Sequence, residues 1–292
     1  MNGNPQHPHI EVEGALGVGL SLGPDNLFFR AFASHYADRQ VQLPHVQIRM
    51  IINIPLGCGL GSSATAVVGG LIAANEFLRL QGKDVPQEEL LELAVAIESG
   101  NHPDNVAPAL LGGLVATTNM NGKIHALKTH FPDALKAVIF TPSFPMDTIA
   151  GRKLLPASYS KADVTFNTGR VALLLSALQT GHYEVIGEAM QDRLHQPYRQ
   201  VLFPAMPNII QAAIDAGAHG ASLSGGGSSL IALASSNFST ILRAMQETAH
   251  SFGVDGTGMI LHADQKGARV LNTRRDRRRK EYDYWYASKL LP

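Results

Sequence analysis

Pro55-Leu56-Gly57-Cys58-Gly59-Leu60-Gly61-Ser62-Ser63-Ala64-Thr65-Ala66 is the stretch on which the reading of this chain turns. A β-like segment at 46–52 leads into it. Small and apolar residues (Ala66, Val67, Val68, Leu71, Ile72, Ala74) leave it with the period of a buried helix. Gly57, Gly59 and Gly61 alternate, which frees the backbone to turn tightly and to approach a ligand closely. Ser62 and Ser63 stand where the helix should begin, and their side chains are expected to cap its first N–H groups. A strand, a glycine turn and a helix N-terminus gather N–H donors and a positive dipole end at one point, which is the physics of a phosphate site. The commoner fingerprints of such sites fail here. No lysine closes the loop as Walker A requires, Ser62 replaces the third glycine of the dinucleotide pattern, and Gly61-Ser62-Ser63 lacks the glycine of a nucleophile elbow.

Composition narrows the setting. The 292 residues are 45% hydrophobic and 16% charged with no net charge, a globular balance without the basic surplus that nucleic-acid binding needs. No apolar run is long enough to cross a membrane, and residues 1–9 lack a signal-peptide core. Cys58 is the only cysteine, which excludes an internal disulfide and suits a reducing, cytoplasmic compartment. With no base evident beside it, Cys58 reads as a small space-filler.

Upstream, 10–13 alternates like an edge strand and runs into a glycine-rich turn at 14–20. Pro24-Asp25-Asn26 starts a helix to about Tyr36, with Leu27, Phe28, Ala31 and Phe32 apolar. Downstream, Pro86 opens a helix to about Ser99 that buries Leu90, Leu91, Leu93, Ala94 and Ile97. That helix delivers a second chemical stretch, Glu98-Ser99-Gly100-Asn101-His102-Pro103-Asp104-Asn105-Val106-Ala107-Pro108-Ala109-Leu110-Leu111-Gly112-Gly113. Taken singly, Glu98 is a solvated helix end, His102 a turn residue and Asp104 a cap. Downstream of a phosphate loop they read together as ligands, since Mg²⁺ beside a nucleotide takes few protein oxygens, and Glu98 with Ser63 would supply a carboxylate and a hydroxyl. Strands follow at 114–118 and 136–141, joined by a turn at Asn121-Gly122, then helical runs at 166–180 and 184–193. A third glycine stretch, 217–229, leads into a strand at 230–233.

These motifs carry a family resemblance. P-x-x-x-G-L-G-S-S-A resembles the phosphate loop of the GHMP kinases, and H-P-D-N-V-A-P-A-L-L-G-G at 102–113 is similar to the segment that marks homoserine kinases. Residues 148–156 resemble the family's T-x-x-A-R-x-x-L-P, with its arginine on Arg152, and 192–199 resemble D-x-L-H-x-P-x-R, with its arginine on Arg199. Residues 217–229 resemble G-A-x-G-x-x-x-S-G-A-G-P-T, with Gly226 for alanine, Ser228 for proline and Ser229 for threonine, which implies a looser loop.

The resemblance implies an α+β GHMP kinase fold of two domains. A ribosomal S5 domain 2-like N-terminal domain (1–140) carries the phosphate loop, a ferredoxin-like C-terminal domain spans 141–273, and the site lies in the cleft between them. It implies phosphorylation of L-homoserine by ATP with Mg²⁺, on the way to threonine, by a homodimer with neither a membrane nor a nucleic-acid partner. Pro55, Gly57, Gly59, Leu60, Gly61, Ser62 and Ser63 would bind the nucleotide, and Ser63 and Glu98 the metal. His102, Asn105, Thr148, Arg152, Arg199, Gly225 and Gly226 would hold substrate. Asn105, Glu98 and Ser63 make up the catalytic set. Asn105 takes the place where other GHMP kinases carry an aspartate base; an amide cannot accept that proton, so the hydroxyl would lose it late, to the phosphate. Asp104 is the alternative base. Two other readings stand beside this one: a GHMP kinase for mevalonate or a sugar, and a weakly active or inactive binding protein. The second arises because the family pattern begins with a strand and a loop P-A-T-x-A-N-L-G-x-G-F-D, ahead of this chain's start. Residues 274–292, rich in Arg and aromatics, do not fit the pattern and read as a disordered extension.

Overall fold

A computed structural model describes residues 8–98, 102–146 and 148–271, with the side chains of 148–150 outside the description. Ser99-Gly100-Asn101, Asp147 and the tail expected at 274–292 lie outside the described residues. The chain divides into two compact units. One holds the chain up to Leu56, Gly61–Thr129 and the stretch from Asp264; the other holds Gly57–Leu60 and His130–Ala263. Each mixes helices with sheet, the α+β character read from the sequence.

In the first unit β1 (His9–Glu13) is followed by α1 (Leu27–Asp38) and β2 (Gln47–Ile51), which pairs parallel with β1. Asn26 sets the start of α1, its Oδ1 accepting from the amides of Phe28 and Phe29 at 3.0 and 3.3 Å. α2 (Ser62–Arg79) packs on α1 through Ala31, Phe32 and Tyr36 against Val67, Leu71, Ala74 and Leu78, all 2% exposed or less. Gly70 permits the close approach: a Cβ there would lie 2.2 Å from the Phe28 carbonyl oxygen. α3 (Gln87–Ile97) and α4 (Pro103–Leu111) complete this core with Leu90, Leu91, Ala94, Val106 and Leu110. A hairpin follows, β3 (Leu114–Met120) and β4 (Lys123–Thr129). Its turn is Asn121-Gly122, both with φ positive (54° and 82°), as a two-residue hairpin requires. The turn was expected to lead to the strand at 136–141; it leads instead to β4, whose mostly exposed lysine- and histidine-bearing pattern hides its alternation. The chain later returns to this unit, where the Ala268 amide donates to Ala109 O at 2.9 Å and the Gly113 amide to Asp264 O at 2.8 Å.

The second unit runs through β5 (Lys136–Pro142), α5 (Thr148–Lys153), α6 (Lys161–Thr180), a 3₁₀ turn at Tyr183–Val185, α7 (Ile186–Ala189), α8 (Gln196–Arg199), α9 (Met206–Asp215), β6 (Gly220–Leu223), β7 (Leu230–Ala234), α10 (Phe238–Ser251) and β8 (Gly256–Leu261). Its sheet is antiparallel in the order β6–β7–β5–β8. α9 and α10 supply Ile209, Ala213, Ile241, Met245 and Ala249 to a core with Val138, Phe140, Leu230 and Ala232 from the strands. The division expected at 140–145 therefore moves. β5 is a central strand of this sheet, paired on both edges, so the unit begins at His130 and the chain leaves it at Asp264. α6 also begins earlier than 166, because the Ser160 hydroxyl accepts from the Asp163 amide at 3.1 Å and caps the helix there. The run expected at 184–193 breaks into the 3₁₀ turn and the single turn of α7.

The cores can be tested at one residue. Leu71→Ala, at a position 1% exposed, should lower stability by about 2–5 kcal/mol, read as a drop in the urea midpoint at unchanged slope. Leu127→Ala, at a β4 position 74% exposed, should stay within about 0.5 kcal/mol. Similar losses for both would contradict the packing described.

Candidate active site

Gly57, Gly59 and Gly61 all adopt positive φ (68°, 78° and 74°), a backbone that other residues reach only with strain. At Gly59 space forbids a side chain as well: a Cβ would lie 2.2 Å from Ser224 O and 2.7 Å from the Gly227 nitrogen. The Ser224 hydroxyl donates to Gly59 O at 2.9 Å and the Ser229 amide donates to Cys58 O at 3.0 Å. The glycine loop thus rests backbone to backbone on the turn at 224–229, where Gly225 and Gly227 also have positive φ. Pro55 and Cys58 are buried, and Leu60 and Gly226 are half-buried. Ser228 and Ser229, departures from the family pattern, are fully buried. The Ser228 hydroxyl donates to Phe144 O at 2.6 Å, and Ser229 Oγ lies 2.9 Å from Thr141 Oγ1. Their hydroxyls anchor the turn that a proline would have stiffened.

At the start of α2 one expectation is corrected. Gly61 is the residue that precedes the helix, with no side-chain cap, and Ser62 and Ser63 are already its first helical residues. A hydroxyl inside the first turn cannot fold back as a cap does, so the first N–H groups of α2 carry no side-chain partner of that kind. The Ser63 hydroxyl donates instead to Glu98 Oε2 at 3.0 Å, across from the end of α3. Asn105, exposed in the first turn of α4, donates through Nδ2 to Asp104 Oδ1 at 3.3 Å. Its Oδ1 lies 3.4 Å from where a Cβ on Gly61 would stand. His102 directly precedes α4 and is exposed. Ser63 with Glu98, and Gly61 with Asn105, are thus brought together. Among the described residues no three His, Cys, Asp or Glu side chains cluster as a metal nest.

In the second unit Arg199 ends α8 and is only 7% exposed. Its Nη1 donates to Gly225 O at 2.8 Å, while its buried Nε has no hydrogen-bond partner among the described residues. Burial pushes the guanidinium pKa down and the like charge of Arg152 pushes it further, against the opposing pull of Asp192. Arg152 is exposed at the end of α5, and neither arginine forms an ion pair among the described residues. Thr148 opens the same helix; its side chain lies outside the described residues.

Two residues that the motif reading left without a role organise this arginine. Asp192 accepts from the amides of Leu194 (2.9 Å), His195 (2.7 Å) and Gln196 (2.5 Å) and from Asn167 Nδ2 (2.7 Å). Burial raises its carboxyl pKa, but these donors outweigh burial and hold it below the usual carboxylate range. Gln196 Oε1 accepts from the Leu223 amide at 2.9 Å, tying α8 to the end of β6. An aspartate just ahead of a Gln-Pro helix start is the signal that gives such a cap away.

The chain is similar to known proteins over most of its length. The GHMP kinases N terminal domain family matches residues 26–113, and the GHMP kinases C terminal family matches residues 174–251. A homoserine kinase of Microchaete diplosiphon is 41% identical over 266 residues, covering 90% of this chain and 84% of that protein. One of Trichormus variabilis is 41% identical over 262 residues, covering 89% and 84%. The crystal structure of homoserine kinase from Cytophaga hutchinsonii superposes with a TM-score of 0.78 at 28% identity, covering 90% of this chain and 84% of that one. With relatives this similar over most of both chains, and the N- and C-terminal GHMP kinase families matched in order along the sequence, the chain belongs to the homoserine kinases of the GHMP kinase superfamily.

Proposed function

We propose that the chain transfers the γ-phosphoryl group of ATP to the hydroxyl of L-homoserine, giving ADP and O-phospho-L-homoserine, the kinase step toward threonine. The observation that carries the substrate assignment is Arg199: a buried guanidinium with an unpartnered Nε, a second cation near it and, among the described residues, no acid paired to either. A carboxylate is the ligand that such a fork takes bidentately. Arg199 and Arg152 would hold the carboxylate of homoserine, with Thr148, His102 and the Gly225-Gly226 backbone around the rest of the molecule.

Phosphoryl transfer asks the protein mainly for position and charge. The loop at 55–63, with uncapped N–H groups at the start of α2, would cradle the nucleotide phosphates. The Ser63 hydroxyl and Glu98 carboxylate, 3.0 Å apart, fit Mg²⁺, a hard ion that takes one or two protein oxygens beside water and phosphate. When bound, the ion neutralises charge on the phosphate oxygens. Asn105, beside Gly61, would orient the attacking hydroxyl without accepting its proton, which passes to the transferred phosphate as the new O–P bond forms. We place the enzyme in the cytoplasm as a homodimer.

A coupled ADP-release assay with Mg-ATP tests the reading: release should depend on L-homoserine. Release indifferent to homoserine, or greater with mevalonate or galactose, would overturn it. Loss of a charged hydrogen bond is worth about 1.5–3 kcal/mol. Arg199→Ala should accordingly raise KM for L-homoserine about ten- to a hundredfold and leave KM for ATP near its starting value; equal rises in both would remove Arg199 from the substrate site. Glu98→Gln should raise the Mg²⁺ concentration for half-maximal rate by about tenfold or more, with KM for L-homoserine little changed. An unaltered Mg²⁺ dependence would take Glu98 out of the metal site.

A further inference from the structure

Arg199 sits on a helix that cannot hold it in place unaided. α8 is a single turn of four residues, closed by two backbone bonds, Arg199 N to His195 O at 3.2 Å and Gln200 N to Gln196 O at 3.0 Å. An isolated turn of that length has no stability of its own. The position of the guanidinium is therefore set by whatever grips residues 192–199 from outside. The bonds of Gln196 to the Leu223 amide and of Arg199 to the Gly225 carbonyl hold the later part of this segment. The earlier part is held from α6.

Asp163, Phe166, Asn167 and Arg170 recur on α6 at intervals of three and four, which puts them on one side of the helix. All four meet the chain at 188–193. Asp163 lies 3.8 Å from Arg193, whose guanidinium sits 3.8 Å from the centre of the Phe166 ring. Arg170 reaches Gln191 Oε1 at 3.4 Å and Glu188 at 3.5 Å. Asn167 grips the chain at both ends of its amide: Nδ2 donates to Asp192 Oδ1 at 2.7 Å, and Oδ1 accepts from the Arg193 N–H at 3.0 Å. Just ahead of α6 the Tyr159 hydroxyl donates to Leu194 O at 2.8 Å, and its ring meets that of Tyr198 at 6.2 Å between centres.

We propose, resting on the assignment of Arg199 to the substrate carboxylate, that Asn167, seconded by Tyr159, is a positioning residue for the binding of that carboxylate. Of the four donors on Asp192, three are amides of its own segment and move with it. Asn167 is the one that joins the carboxylate to another element. An amide suits this place because one end gives to a carboxylate while the other takes from an N–H. An aspartate there would set two carboxylates against each other, and an alanine would release both groups. Among the described residues no hydrogen bond joins Asn167 to Arg199, so Asn167 acts on the arginine through residues 192–199. A bidentate fork binds well only where it is placed to a fraction of an ångström, which is what such a grip supplies.

Steady-state kinetics on the full chain test this. Asn167→Ala should raise KM for L-homoserine about tenfold, while kcat and KM for ATP stay within about twofold. Beside Arg199→Ala the same change should raise KM no further, because no guanidinium remains to be placed. Tyr159→Phe removes only the bond to Leu194 O and should give a rise of about threefold, again lost beside Arg199→Ala; this variant carries the test if Asn167→Ala does not fold. Matching rises in KM for ATP, or a fall confined to kcat, would mark a general loss of structure and overturn the proposal. Rises as large with Arg199 absent as with it present would also overturn it, as would single variants that leave KM unchanged while Arg199→Ala raises it. An Arg199→Ala chain with unchanged KM for L-homoserine would instead overturn the assignment of Arg199, and this proposal with it.

Discussion

The site depends on a contact that excludes any side chain. Gly59 meets the 224–229 turn backbone to backbone, where a Cβ would lie 2.2 Å from Ser224 O, and two hydrogen bonds of 2.9 and 3.0 Å close the joint. No rearrangement of flexible side chains relieves an overlap with main chain, so glycine is required for a steric reason in addition to its positive φ. The consequence reaches along the chain. With Cys58 and Gly59 pinned, Gly61 turns into α2 without a side-chain cap, and the first donors of the helix lack the partner that most helices find in a serine or aspartate. Ser228 and Ser229, which replace proline and threonine of the family pattern, serve the same joint from below through Phe144 and Thr141.

What the sequence made legible shares one property: it is local, or it is imposed by backbone geometry. The glycine spacing, the α2 period, the Pro86 and Asn26 helix starts and the Asn121-Gly122 turn are written in adjacent residues, and each appears where it was read. The Ser63–Glu98 pair spans 35 positions and was reached only through the chemistry of a phosphate site, since spacing alone does not join the two. The misses are long-range. β4 alternates only weakly because most of its residues face water. The boundary near 140 failed because Pro142 and Pro145 look like a linker, whereas β5 continues to Pro142 as a central strand. The serines at 62 and 63 were misread as caps because Gly61, with φ of 74°, takes the position before the helix itself. α6 extends further back than its apolar run because a serine cap and an inward-facing Asp163 begin it, and inward charge does not register as helix period.

The arrangement around Arg199 explains why a protein would keep a charge where little water reaches it. Removing a guanidinium from water is unfavourable by several kcal/mol unless a partner compensates, and the obvious partner, Asp192, is engaged elsewhere. Its oxygens accept four hydrogen bonds, three from the backbone that begins α8 and one from Asn167. The carboxylate therefore fixes the geometry of the helix that carries Arg199 and acts on the arginine only through the field. That division has a pH signature. Because the folded carboxyl pKa is depressed, its contribution to stability is complete above the ordinary aspartate range and is lost as pH falls through the lowered value. At neutral pH the Asp192 carboxylate keeps its donors, the Arg199 guanidinium donates to the Gly225 carbonyl alone among the described residues, and Arg152 makes its charge still less comfortable. Replacing Gly225 O by an anionic partner is not needed; the free Nε is already the unsatisfied group. The proposed carboxylate would relieve desolvation and cation–cation repulsion in one step, and stability withheld from the unliganded fold would then reappear as affinity.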